Sequence, residues 1–139
     1  MVEMKVFMSV AGHPKLAVST TNLNFGSDTI TKTFTIQNSG TGILSWSTEN
    51  TPGWLTVSPR QGNLLKGQKA TLTVSCSRAK LEMNSYTSEL KIVSNAENQY
   101  SPVTIQMSVP RISTYSLSTR TLAYGYTDSI KNFYIKNTG

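Results

Sequence analysis

The sequence predicts an all-β protein built as an antiparallel sandwich of about seven strands. Three observations carry that expectation. Apolar and polar residues alternate in short runs, the period of a half-buried strand. Turns rich in glycine, proline and asparagine separate the runs, and these residues favour turns for stated backbone reasons. Serine and threonine together number 37 of 139 residues, while charged residues are only 14%. Threonine suits strands and serine suits turns.

The elements follow in chain order. Leu16, Val18, Leu23 and Phe25 open the expected core. In Lys32–Gln37, Phe34 and Ile36 share one face and polar residues take the other. Leu44 and Trp46 repeat the pattern, then Leu55 and Val57, then Leu72, Val74 and Cys76 in the run 71–76. Leu90 and Ile92 lie in 88–92, and Val103, Ile105 and Met107 in 103–109. Turns are expected at 38–42, 51–53, 58–62, 66–67 and 94–98. No long window carries a helical stripe, and Arg78 to Asn84 has room for one short helical turn at most. Cys76 alternates with Leu72 and Val74, so it reads as a buried, inert thiol.

The chain also resembles itself. Residues 16–40 align without a gap on residues 115–139, at an offset of 99, with nine of twenty-five positions identical. Leu23/Leu122, Gly26/Gly125, Phe34/Phe133, Ile36/Ile135 and Asn38/Asn137 are among them. Met8-Ser9-Val10 likewise matches Met107-Ser108-Val109, within an alternating apolar row that starts at Met4. Self-similarity at a fixed interval indicates a repeat array. The expected organisation is the last strand of a preceding repeat plus a linker over 1–13, a complete domain over 14–110, and the start of a following repeat over 111–139. Neighbouring repeats are then the first expected partners, and duplicated segments invite strand exchange between chains.

Composition excludes several classes. Thirteen Lys+Arg against seven Asp+Glu give a formal charge of +6, but the basic residues are scattered and no nucleic-acid motif accompanies them, so no nucleic-acid partner is expected. No apolar stretch approaches the ~18 residues of a membrane span. Met1 is followed by Val-Glu-Met-Lys, which does not read as a signal peptide. A single cysteine forms no intrachain disulfide. His13 is the only histidine, which leaves no credible catalytic triad, and the carboxylates are isolated rather than paired as a glycosidase requires. No His/Cys cluster or run of oxygen ligands suits a metal, so neither cofactor nor metal is expected.

The central segment is similar to a known family. Leu23-x-Phe25, then Phe34-Thr35-Ile36-Gln37-Asn38-Ser39-Gly40, Leu44-Ser45-Trp46, Gly53-Trp54-Leu55-Thr56-Val57-Ser58-Pro59 with Gly62, and 86–95 together resemble the BACON domain. That is an immunoglobulin-like module of Bacteroidetes proteins and of their phages. The resemblance covers Pro14 to Val109 and restarts at Tyr115. It implies an immunoglobulin-like sandwich and a non-catalytic, extracellular, cell-surface or virion role, either as a structural spacer or as a weak carbohydrate- or mucin-binding module. Adhesion or virion assembly through protein contacts is a further alternative. Sugars stack on exposed flat rings, and the candidate residues for that contact are Trp54, Tyr86 and Tyr100. Trp46 shares a face with Leu44 and reads as core.

Overall fold

The computed structural model describes residues 2–4, 11–49, 51–111, 113–127 and 129–138. It divides into two compact units, Met1–Val109 and Pro110–Gly139. Among the described residues the first holds nine strands: β1 (Leu16–Val18), β2 (Asn22–Asn24), β3 (Thr31–Asn38), β4 (Leu44–Glu49), β5 (Leu55–Ser58), β6 (Gln61–Leu64), β7 (Lys69–Cys76), β8 (Ser85–Ser94) and β9 (Tyr100–Ser108). The second holds β10 (Tyr115–Leu117) and β11 (Ile135–Asn137). No helix occurs among the described residues.

The strands of the first unit form two sheets, ordered β1-β3-β7-β5 and β2-β9-β8-β4-β6. Alternation decides which side chains turn inward. Phe34 and Ile36 from β3, and Leu72 and Val74 from β7, meet Leu44, Trp46, Leu90, Ile92, Val103 and Ile105 of the opposite sheet in one continuous core. Outward positions on β3 and β7 carry the threonine surplus: Thr33 faces Thr73 and Thr35 faces Thr71 across the ladder. Branched hydroxyl side chains suit an exposed pleated face.

Several expectations are corrected. Among the described residues the first unit has nine strands where about seven are expected, in part because β1 and β2 are two short pieces in different sheets. Gln61–Leu64 is strand β6, not part of a turn. Its sequence has little strand propensity, but Gly62 lies opposite Trp46, and a Cβ there would sit 3.2 Å from the indole. The ring covers the glycine, and pairing with β4 overrides propensity. The sandwich is not wholly antiparallel, since β2 pairs with β9 in parallel. Of the expected core, Val18 is only half-buried, packed at its margin near the short β1. Leu64 and Ala96 are buried although neither was expected. Arg78–Leu81 forms a turn closed by the Leu81 amide on the Arg78 carbonyl, with Lys80 at positive φ. The expected strand over residues 4–10 falls almost wholly outside the described residues.

The topology gives the first unit two poles. At one, the backbones of His13 and Lys15 continue the pairing of β1 with β3: Thr41 N donates to His13 O at 2.8 Å and Ser39 N to Lys15 O at 2.9 Å. Asn98 Nδ2 reaches Leu16 O there at 3.0 Å. At the other pole β9 ends, and Ser108 N donates to Gly26 O at 2.9 Å. The chain therefore joins the sandwich at one pole and leaves it at the opposite one. The eight steps of β9, at ~3.3 Å per residue, set these poles roughly 26 Å apart.

The second unit reproduces part of the first bond for bond. Leu16, Ala17 and Val18 face Asn38, Gln37 and Ile36; Tyr115, Ser116 and Leu117 face Asn137, Lys136 and Ile135. Ser19 N donates to Thr35 O as Ser118 N does to Tyr134 O. Thr35 N donates to Ser19 Oγ as Tyr134 N does to Ser118 Oγ, both at 2.9 Å. Burial differs: Ile36 is 0% exposed and Ile135 is 67%. In the first unit an opposing sheet covers that face, and among the described residues of the second unit none does.

Candidate functional site

The turn closed by Leu55 N on Pro52 O presents Trp54 at the C-terminal pole of the first unit. Tyr86, on β8 opposite Met107, lies at the same pole. The two rings meet with centroids 6.2 Å apart and planes inclined by 60°, within the ~4.5–7 Å range of tilted aromatic pairs. Both are half-buried and packed against the core, and the Tyr86 hydroxyl donates to Glu82 O at 2.9 Å. Part of each ring is thus taken up by the core and by the other ring. Together they close the end of the sandwich.

Tyr100 begins β9, opposite Val93, and so lies at the other pole. It is 57% exposed, with Lys91 Nζ 5.6 Å from its ring centre. The structure therefore brings Trp54 and Tyr86 together and holds Tyr100 apart from them. The three do not form one platform. Trp46 is buried as expected, and its Nε1 has no hydrogen-bond partner.

A different concavity lies over the second sheet. A shallow groove of about 380 Å³ is lined by Ser45 and Ser47 from β4, Gln61 and Asn63 from β6, and Val93 and Asn95 at the end of β8. Asn95 ties its rim: Oδ1 accepts from Ser45 N at 3.0 Å and Nδ2 donates to Ile43 O at 3.1 Å. Its donors and acceptors are uncharged amides and hydroxyls. Sequence reasoning missed this groove because β6 read as a turn, which hid the side-by-side placement of the three segments.

Charged chemistry is sparse. Among the described residues no group of three or more His, Cys, Asp or Glu could hold a metal ion. His13 Nδ1 and Glu97 Oε1 stand 3.8 Å apart on an exposed surface. Burial pushes the Cys76 thiol pKa above its ordinary value, while the nearby Arg78 charge and a backbone hydrogen bond pull the other way. No described helix is long and apolar enough to cross a membrane.

Comparison with known proteins adds a family and a fold. The family model described as "Viral BACON domain" matches residues 15–108. No curated protein matches the chain. Among solved structures, the ASH / PapD-like domain 7 of human CEP192 is similar with a TM-score of 0.60 at 11% identity, over 81% of this chain and 96% of that one. A protein of unknown function from Porphyromonas gingivalis W83 has a TM-score of 0.60 at 18% identity, over 71% of this chain and 47% of its own. A Bacteroides ovatus GH5 xyloglucanase, solved with a XXXG heptasaccharide, has a TM-score of 0.54 at 18% identity, over 68% of this chain and 19% of its own. The match thus spans less than half of the Porphyromonas protein and a fifth of the xyloglucanase. At such identities the likeness is one of fold.

Proposed function

The chain belongs to the viral BACON domain family, and on that premise we propose that it serves as a non-catalytic spacer in a tandem array, on a virion or an extracellular surface. The observation that carries this reading is the placement of the two connections at opposite poles of the first unit. A sandwich so connected adds its full length to a string of modules, whereas one with both connections at a single pole adds none. The residue-for-residue recurrence of the β1–β3 pairing in β10–β11 supports a repeated module.

Distance measurement between spin labels on His13→Cys and Val109→Cys tests the spacer. The expected result is one narrow distribution centred roughly 26 Å or a little more apart. A distribution at half that value would place both connections together and end the reading.

Weak carbohydrate binding is the second reading, and the groove beside Asn63 and Asn95 favours it more than Trp54, Tyr86 or Tyr100 do. Neutral amides and hydroxyls suit sugar hydroxyl groups, with no charge to be desolvated. Retention on a polysaccharide column, lost in Asn63→Ala with folding intact, would support it; no retention of the unsubstituted chain would remove it. Adhesion or assembly through protein contacts would use the sheet edges β5 and β6.

A further inference from the structure

Strands β2 and β9 lie side by side and parallel, and the chain connects to them from opposite poles, to β2 by way of β1. Leu23 of β2 faces Ile105 of β9. Thr104 N donates to Thr21 O at 2.8 Å and Phe25 N to Gln106 O at 2.7 Å, extending the ladder at both ends. Tension on the two ends of the unit draws β2 toward the N-terminal pole through β1, and β9 toward the C-terminal pole. The pull then runs along the strands and across their hydrogen bonds. Bonds loaded in that way share the force and must fail together, whereas bonds peeled from one end fail singly.

Arg78 fastens this pair where tension leaves the sandwich. Its Nε donates to Ser108 O at 2.9 Å, Nη1 to Thr29 O at 2.9 Å and Nη2 to Gly26 O at 2.8 Å. One guanidinium thus joins the segment after β2 to the last residue of β9. The group stays charged at any working pH, and its planar fork, with Nη2 also reaching Phe25 O at 3.4 Å, engages four carbonyls at once.

We infer that the first unit is a load-bearing element, with the β2–β9 ladder as its mechanical clamp and Arg78 as a positioning residue that locks the clamp. This deepens the spacer reading and rests on it.

Optical-tweezers unfolding of the whole chain in two pulling directions tests the inference. One direction uses handles at the chain termini. The other uses handles on Ile43→Cys and Leu65→Cys, exposed positions that flank the β4–β6 pair at one end and peel it bond by bond. Buried Cys76 stays unlabelled. Terminal pulling is expected to require clearly higher force than peeling. Arg78→Lys keeps the charge and loses the fork; at fixed terminal load it should unfold about tenfold faster or more, with little change in the peeling direction. Equal forces in the two directions would overturn the clamp, and an equal acceleration in both would reduce Arg78 to a general staple. The direction comparison needs no change at Arg78, so it decides even where that variant does not fold. A spacer without a clamp would pass the spin-label measurement and fail this one.

Discussion

Asn38 donates from Nδ2 to the Leu64 carbonyl across 3.0 Å, and in doing so joins the two sheets at the N-terminal pole. It is the one fully buried polar residue among those described. The same amide donates to Gly42 O at 2.9 Å, while Oδ1 accepts from Gly40 N and Lys15 N. Both ends of the side chain are thus engaged, which is the condition for burying an amide without penalty. Asn38→Asp replaces the donating end with an acceptor that faces two carbonyls. Urea unfolding should show a loss of roughly 2–4 kcal/mol, and Asn38→Ala a loss of similar size from the groups left unpaired.

Gly62 is expected to tolerate no side chain without cost. A Cβ there meets Trp46 Cζ2 at 3.2 Å and the indole's Cε2 and Nε1 at 3.3 Å. The ring is buried and has little room to retreat, so Gly62→Ala should destabilise the unit by about 1 kcal/mol or somewhat more. Thermal unfolding followed by tryptophan fluorescence reads both the stability and the displaced ring.

Gly40 has a sharper constraint, set by backbone rather than side chain. A Cβ would lie 2.2 Å from His13 O and 2.6 Å from Lys15 N. Gly40→Ala must therefore push residues 13–15 off the sandwich. Hydrogen exchange should show the Ser39 and Thr41 amides losing protection while the β3–β7 ladder keeps it. Uniform loss across both would mean that this pole folds only with the whole.

Cys76 supplies a pH dependence. Its folded pKa is raised, chiefly by burial, so folding favours the neutral thiol. That contribution is complete below the unfolded thiol's pKa and is lost as pH rises through the folded one. Stability should fall on the alkaline side more in the unsubstituted chain than in Cys76→Ala, when both are compared by denaturant titration across that range. In the folded protein the thiol should react with an aromatic disulfide reagent only as fast as the unit opens.

Trp54 and Tyr86 are expected to matter for stability before any ligand. Trp54→Ala removes one ring of the 6.2 Å pair and uncovers the core margin. A loss of about 1–3 kcal/mol by urea unfolding is the expected outcome for a half-buried aromatic. A stability unchanged within error would free Trp54 for a binding role.

Much of the core was legible because period-two alternation is a local property. Phe34 with Ile36 and Leu72 with Val74 declare their inward face from neighbours two residues away. The recurrence at 99 residues was equally open to reading, since it needs only a comparison of the chain with itself. Strand β6 was not legible: Gln61-Gly62-Asn63 has turn-like composition, and only the Trp46 ring across the ladder makes Gly62 a strand residue. The groove at Asn63 and Asn95 was hidden for the same reason.

By itself, then, the sequence determined the all-β class, most of the buried side chains and the self-similarity, because each follows from spacing along one strand or one chain. Tertiary structure alone decided that β2 runs parallel to β9, that the connections sit at opposite poles, that Arg78 ties the segment after β2 to the end of β9, and that Trp54 meets Tyr86 but not Tyr100. These are relations between residues from about thirty to eighty apart in sequence. Their pairing is chosen by which faces can share one core, a condition that no local pattern encodes.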